Sequence, residues 1–174
     1  RKKDLTVLWV VEQLGDVLYT RAVVPLERMR KSDQEAILYP WFDICDRICI
    51  DATGLGIGWA DDAQDKFGGH RVEAVTFTGQ VKEALAYPLK GRMEDRAVRI
   101  PDDPVIHADL RKVKKVTTAA GNIRFEAEST PDGHADRFWA LALAIHAASN
   151  PSAPIEFMSD GVARGADAEG FIHG

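Results

Sequence analysis

The chain has 174 residues, of which 45% are hydrophobic and 28% are charged, and its formal net charge is −5. This composition is typical of a globular domain with a sizeable core and excludes a disordered chain. No apolar run reaches the ~18 residues that a transmembrane helix requires, so we expect no membrane contact. The two cysteines, Cys45 and Cys49, cannot form a disulfide framework, which favours reduced thiols in an intracellular compartment over a zinc site.

Strands and helices are predicted to alternate along most of the chain. Alternating or β-branched segments predict strands at residues 5–12, 17–24, 47–51, 71–78, 97–100, 115–118 and 123–128. Apolar spacing and capping residues predict helices at 32–41, 56–67, from Thr78 to about 89, from 102 to about 113, and 136–148. This order predicts an α/β domain with a mixed sheet and helices on its faces.

Local signals also predict where several of these elements begin and end. Pro25 is expected to stop the second strand, since proline donates no hydrogen bond to a ladder. Ser32 and Glu35 form a capping-box pattern that predicts Ser32 as the first helix's N-cap, and Pro40 is expected to kink or end that helix. After residue 150 the composition shifts to Gly, Ala, Asp and Ser, which predicts a flexible tail or linker at 151–174.

Asp51 is the first candidate site residue. It ends an apolar strand and is followed by Thr53, Gly54 and Gly56, so its carboxylate is expected at the edge of a sheet, where α/β proteins place their chemistry. The alternative is that Asp51 only caps the turn through Thr53 and Gly54. No Gly-x-x-x-x-Gly-Lys-Ser/Thr pattern is present, so a nucleotide-binding P-loop is not indicated.

Asp136 is the second candidate, because it opens the most apolar helix predicted in the chain. Two carboxylates from different elements can hold hard divalent cations for phosphodiester cleavage. The alternative is that Asp136 is merely the N-cap of its helix. Since 85 positions separate it from Asp51, only tertiary structure can bring the two together.

These two motifs carry a resemblance to a known family. The Asp-x-Thr-Gly-x-Gly pattern at 51–56 and the His-x-Asp-Arg-x-x-Ala-x-Ala-x-Ala pattern at 134–144 resemble the nuclease domain of phage terminase large subunits, in the Mu-like branch of DNA-packaging proteins. The opening segment at 1–9 fits the same family, so the resemblance covers roughly residues 1–149. It implies a ribonuclease H-like fold for residues 1–150, with a mixed sheet and helices on both faces.

The resemblance also implies a catalytic set. Asp51 and Asp136 would bind two Mg²⁺ or Mn²⁺ ions, and His134 would serve as a ligand, a phosphate contact or a proton shuttle. The first acid of the family lies on a strand just before a Gly-Arg pair, so we expect that strand and its acid upstream of Arg1. Asp4 is the nearest carboxylate and matches the family's second acid, which implies either a catalytic role in contact with a metal ion through water or a role in supporting the loop.

The sequence also offers a candidate DNA-contacting surface. Residues 82–115 contain nine Lys or Arg residues and six Asp or Glu residues, a local excess of positive charge in an acidic chain. The proposed contacts with double-stranded DNA are Arg111, Lys112, Lys114, Lys115 and Arg124. Phosphate contacts of this kind would not read sequence; the alternative is a solvated helix face.

Taken together, the sequence predicts a metal-dependent endonuclease domain that cuts double-stranded DNA during phage genome packaging. The resemblance implies an upstream ATPase domain, a small terminase subunit and a portal as partners, in the cytoplasm of the bacterial host. Two other readings remain open. One is a different ribonuclease H-like nuclease, of junction-resolvase or transposase type, and the other is a non-catalytic packaging module that docks on a portal.

Overall fold

The computed structural model describes residues 5–54, 56–119, 121, 123–127 and 135–150. The predicted tail at 151–174 therefore lies outside the described residues. The elements in chain order are β1 (Leu5–Leu14), β2 (Val17–Glu27), α1 (Lys31–Ile44), β3 (Ile48–Asp51), α2 (Gly56–Phe67), β4 (Val72–Val75), α3 (Gly79–Glu94), β5 (Val98–Arg99), α4 (Pro104–Lys112), β6 (Val113–Thr117), β7 (Ile123–Ala127) and α5 (Asp136–Ser149). Within this part of the chain, no helix is long and apolar enough to cross a membrane.

The strands combine parallel and antiparallel pairing. β1 and β2 form a long antiparallel hairpin, and β5 joins β2 in parallel through Leu18 and Tyr19. β3 pairs in parallel with β4, which needs a crossover, and α2 provides it. β6 and β7 form a separate antiparallel hairpin. The predicted mixed α/β architecture is confirmed.

Helices cover both faces of the strands, because successive side chains of a strand point to opposite sides. In β1, Leu8 packs against the core cluster beneath α1 and α2, whereas Trp9 belongs to the cluster beneath α3, α4 and α5. In β3, Ile48 belongs to the cluster beneath α1 and α2, and Cys49 packs against the cluster beneath α3, α4 and α5. The expectation of helices on both faces is thus confirmed, and α5 packs against β1 and β3 alike.

A large cleft lies between β1 and β3. Its volume is about 980 Å³, and both strands line it, with α5 contributing further residues. Among the described residues β1 pairs only with β2 and β3 only with β4. Each strand therefore has an edge without a strand neighbour in this part of the chain, and the interior of the domain opens there.

Two local predictions were wrong, and a third was wrong in one of its two alternatives. β2 continues through Pro25 to Glu27; among the described residues no strand pairs with that stretch on its other edge, so the missing N–H is tolerated. The N-cap of α1 is Arg30 rather than Ser32, and it makes no side-chain cap. α1 also runs past Pro40 to Ile44, held by the burial of Leu38 and Phe42 on either side, so Pro40 does not end the helix. The alternative, a kink at Pro40, stays a prediction.

Candidate active site

Asp51 is the last residue of β3, and its side chain is exposed. Its Oδ1 atom accepts a hydrogen bond from the backbone N–H of Thr53 at 2.9 Å, so the turn role considered from the sequence is present. No donor among the described residues contacts Oδ2. The Thr53 hydroxyl accepts from the N–H of Phe77 at 2.9 Å, which fixes the end of β3 to the segment after β4. One carboxylate oxygen is thus held by the turn, and the other accepts no hydrogen bond from the described residues.

Gly56 explains why small residues follow Asp51. A Cβ atom at this position would lie 2.0 Å from the backbone oxygen of Asp51, so only glycine lets α2 begin so close to the end of β3. Gly54 has φ +61°, a conformation that L side chains rarely adopt. The spacing of the two glycines therefore sets how the Asp51 carboxylate is presented.

Asp136 is the first residue of α5, and the cap position before it is occupied by Ala135 with φ 60°. The reading of Asp136 as the N-cap of its helix was therefore wrong. A carboxylate in the first helical turn is stabilised by the helix dipole. Asp136 is half-buried and lines the same cleft as Asp51. The fold thus places two acids that are far apart in sequence along the same cleft.

Asp4 and His134, the other two predicted catalytic residues, lie outside the described residues. Their roles remain predictions.

The same cleft contains aromatic and cationic side chains that the sequence analysis did not single out. Phe77 and Trp139 line it, with their ring centroids 5.4 Å apart. Lys82 lines it as well, with its ammonium 5.3 Å from the centre of the Trp139 ring. The parallel pairing of β3 with β4 explains the position of Phe77. Parallel neighbours end at the same edge of a sheet, so residues that follow β4 lie at the edge where Asp51 ends β3.

The residue after Asp136 anchors the start of α5. Arg137 Nη1 donates to Asp109 Oδ2 at 3.1 Å, and Lys112 Nζ donates to Asp109 Oδ1 at 2.7 Å. Asp109 is only 4% exposed. Burial alone would raise the pKa of this carboxyl, but the bonds from Lys112 and Arg137 outweigh it and hold the pKa below its ordinary value. This network joins α4 to the helix that carries Asp136.

The predicted DNA-contacting residues have different surroundings. The ammonium of Lys112 is engaged with Asp109 inside the fold, which favours a structural role. Arg111 and Arg124 are exposed. On the β6–β7 hairpin, Lys115 lies over the ring of Tyr87 at 5.4 Å, and Lys114 is opposite Glu126 in register. These basic side chains therefore do not share one environment. Their binding to DNA stays a prediction.

A second polar cluster joins β3, β4 and α5. Cys49, Glu73 and His146 have ligand atoms within 4.8 Å of one another, which by residue type could suit a soft metal ion. However, the Arg47 guanidinium lies 2.6 Å from Glu73 Oε2 and already supplies positive charge. His146 Nε2 lies 3.1 Å from Glu73 Oε1. We interpret the cluster as an ion-pair network that holds the sheet to α5.

The ionisation of this cluster agrees with that interpretation. Burial, reinforced by the nearby Glu73 carboxylate, raises the pKa of the Cys49 thiol to about 12, so the thiol is protonated at neutral pH within this network. Burial alone would also raise the pKa of Glu73, but hydrogen bonds with His146 and Arg47 lower it below its ordinary value.

The chain was compared with known families and structures. The family model described as the terminase RNaseH-like domain matches residues 1–148. The large terminase nuclease of thermophilic phage G20c with bound magnesium is 23% identical, with a TM-score of 0.61 and 82% of each chain covered. The same nuclease with bound cobalt is 23% identical, with a TM-score of 0.62, 82% of this chain and 81% of that chain covered.

A nuclease domain from another source is also similar. The large terminase nuclease domain of Thermus phage P74-26 is 21% identical, with a TM-score of 0.57, and 87% of this chain and 81% of that chain are covered. At sequence identities this low, the structural similarity shows that the chain shares the fold of these nucleases. No significant match was found among curated proteins.

Proposed function

This chain belongs to the terminase RNaseH-like domain family, and on that premise we propose that it is the metal-dependent nuclease domain of a phage or prophage large terminase, which cuts double-stranded DNA during genome packaging. The observation that carries the proposal is that Asp51 and Asp136, which come from different elements, line one cleft. Hydrolysis of a phosphodiester by bound metal ions needs carboxylates from several elements facing a common space.

The donors of the cleft fit hard divalent cations. Asp51 keeps Oδ2 clear of donors among the described residues while Thr53 holds Oδ1. Asp136 presents a second carboxylate from the first turn of α5. Carboxylate oxygens suit Mg²⁺ or Mn²⁺ better than softer metals. Two such ions, when bound, supply activation of the attacking water and stabilisation of the leaving oxygen, and magnesium and cobalt are bound in the structures of the G20c nuclease.

A further acid is expected to complete this set, because two carboxylates are few for two ions. We propose that it lies on a strand that enters the cleft between β1 and β3. The support is that both strands line the cleft and neither has a partner on that edge among the described residues. We further propose that Asp4 and His134 assist these acids, as a supporting carboxylate and as a phosphate contact, metal ligand or proton shuttle respectively.

DNA contacts away from the acids would come from the exposed basic side chains. Arg111, Lys114, Lys115 and Arg124 could neutralise phosphates without reading bases, whereas Lys112 is engaged with Asp109. We further propose that the domain works in the bacterial cytoplasm with an ATPase domain of the same polypeptide, a small terminase subunit and a portal.

Cleavage of supercoiled plasmid by the intact protein tests the proposal. Cutting is expected with Mg²⁺ or Mn²⁺ and not with EDTA, and Asp51→Asn and Asp136→Asn should each abolish it. Asp65→Asn is the matched control, because it removes the same charge from an exposed position on α2 outside the cleft. It should cut like the unmodified protein.

Three results would redirect the interpretation. Undiminished cutting by both site variants would remove Asp51 and Asp136 from the mechanism. Absence of both metal binding and cutting in the intact protein, together with tight portal association, would leave a packaging module without catalysis. A strong preference for branched over linear DNA would favour a junction-resolving nuclease.

A further inference from the structure

Lys82 differs in its surroundings from other lysines of α1, α3 and α4. Lys31, Lys90 and Lys112 are paired with Asp62, Glu94 and Asp109 respectively. By contrast, no carboxylate among the described residues lies within ion-pair distance of the Lys82 ammonium. Its ammonium lies 5.3 Å from the centre of the Trp139 ring, and Lys82 lines the cleft that contains Asp51 and Asp136.

A continuous set of contacts links Lys82 to Asp51. The Asp51 carboxylate accepts from Thr53, whose hydroxyl accepts from the N–H of Phe77. The Phe77 ring packs on Trp139, and the Trp139 ring lies under the Lys82 ammonium. Trp139 is only 9% exposed, so this platform is fixed by the core rather than by solvent-exposed side chains.

Trp139 also relates Lys82 to the second acid. It follows Asp136 by three positions in α5, and residues with that spacing lie on the same face of a helix. Trp139 and Asp136 both line the cleft. The helix that presents an acid therefore also presents the ring that positions a cation.

We propose that Lys82 binds a phosphate oxygen of the DNA strand that enters the cleft. This inference rests on the nuclease function proposed above and adds a phosphate-binding residue to it. A cleft lined with carboxylates repels a polyanion, and a lysine held there with no carboxylate partner among the described residues offsets that repulsion. The ammonium is a compact point charge that suits a phosphate oxygen, and its approach to the aromatic face leaves its outer side free to donate. Such a contact reads no base and fits cutting without sequence preference.

The test measures binding of the intact protein to a short labelled DNA duplex in EDTA, where no cutting occurs, across a range of salt concentrations. Lys82→Gln should weaken binding and reduce the slope of log affinity against log salt by about 0.9, the value for one phosphate contact. Lys82→Arg should retain the slope. Lys90→Gln is the matched control, since it removes an exposed, Glu94-paired lysine from the same helix, and it should leave the slope unchanged.

Further measurements separate this proposal from its premise. Lys82→Met removes the charge but keeps an aliphatic side chain that can pack on Trp139, and it should change the salt dependence as Lys82→Gln does. The near-ultraviolet circular dichroism of each variant should match that of the unmodified protein, which shows that the variant is folded. An unchanged slope in a folded Lys82→Gln or Lys82→Met protein overturns the assignment, as does an equal loss in Lys90→Gln. If the unmodified protein cuts plasmid while the Lys82 variants bind and cut normally, only the lysine assignment fails. If neither the metal nor Asp51→Asn affects cutting, the nuclease proposal fails instead.

Discussion

A pair of glycines in α2 provides a sharp test of how the Asp51 carboxylate is positioned. A Cβ atom at Gly56 would lie 2.0 Å from the Asp51 backbone oxygen, whereas ordinary contact begins near 3.4 Å; at Gly58 nothing lies within 4 Å. The obstructing atom belongs to the backbone of β3, which is paired with β4, so it cannot rotate away. Overpacking of this kind costs about 1–3 kcal/mol, and we expect Gly56→Ala near the upper end.

Gly58→Ala is the matched control because the chemical change is identical. Within a helix the added methyl group should raise the free energy of unfolding by about 0.5–1 kcal/mol. The two variants should therefore differ by roughly 2–4 kcal/mol in urea unfolding. Gly56→Ala should also lose metal-dependent plasmid cutting, which Gly58→Ala keeps. Equal stability of the two variants, or normal cutting by a folded Gly56→Ala protein, would refute the reasoning.

Three other measurements follow from the ionised groups. Asp109→Asn should lower the free energy of unfolding by about 3–5 kcal/mol, because it leaves two cations with a weakened buried partner, whereas Asp102→Asn at an exposed position should change it little. Folding lowers the pKa of Asp109 and of Glu73 below their ordinary values of 3.8 and 4.5. Each ionised carboxylate therefore stabilises the fold at a pH above its ordinary pKa, and this stability is lost as the pH falls through the pKa in the folded protein. In a Glu73→Gln protein the free energy of unfolding should fall less steeply with acidification. In a Cys45→Ser background, Cys49 should react with iodoacetamide at neutral pH more slowly when folded than when unfolded, since its pKa is raised to about 12.

Elements with local signals were predicted well. The span of α2 matches its predicted limits because apolar spacing and the closing glycine, Gly68 with φ +90°, act within the segment. The caps of α3 and α4 are equally local: the Thr78 side chain accepts from the N–H of Val81, and the Asp103 side chain accepts from the N–H groups of Val105 and Ile106. In each case the donor and the acceptor are close neighbours in the chain.

Predictions failed where a distant segment decides the outcome. Pro25 remains inside β2 because of which strands flank it, and no local pattern contains that information. The role of Lys112 depends on its bond to Asp109, and Asp109 in turn bonds Arg137 from α5. A basic run looks the same in sequence whether its charges face solvent or a buried carboxylate.

The sequence by itself determined the order of strands and helices, the two acidic motifs and the glycines after Asp51, because these depend on side-chain types at short spacing. Only the tertiary structure decided that Asp51 and Asp136 share a cleft, that Trp139 positions Lys82 there, and that β1 and β3 leave an opening between them. Each of these depends on contacts between residues that are remote in the chain, and such contacts form only when the core closes around them.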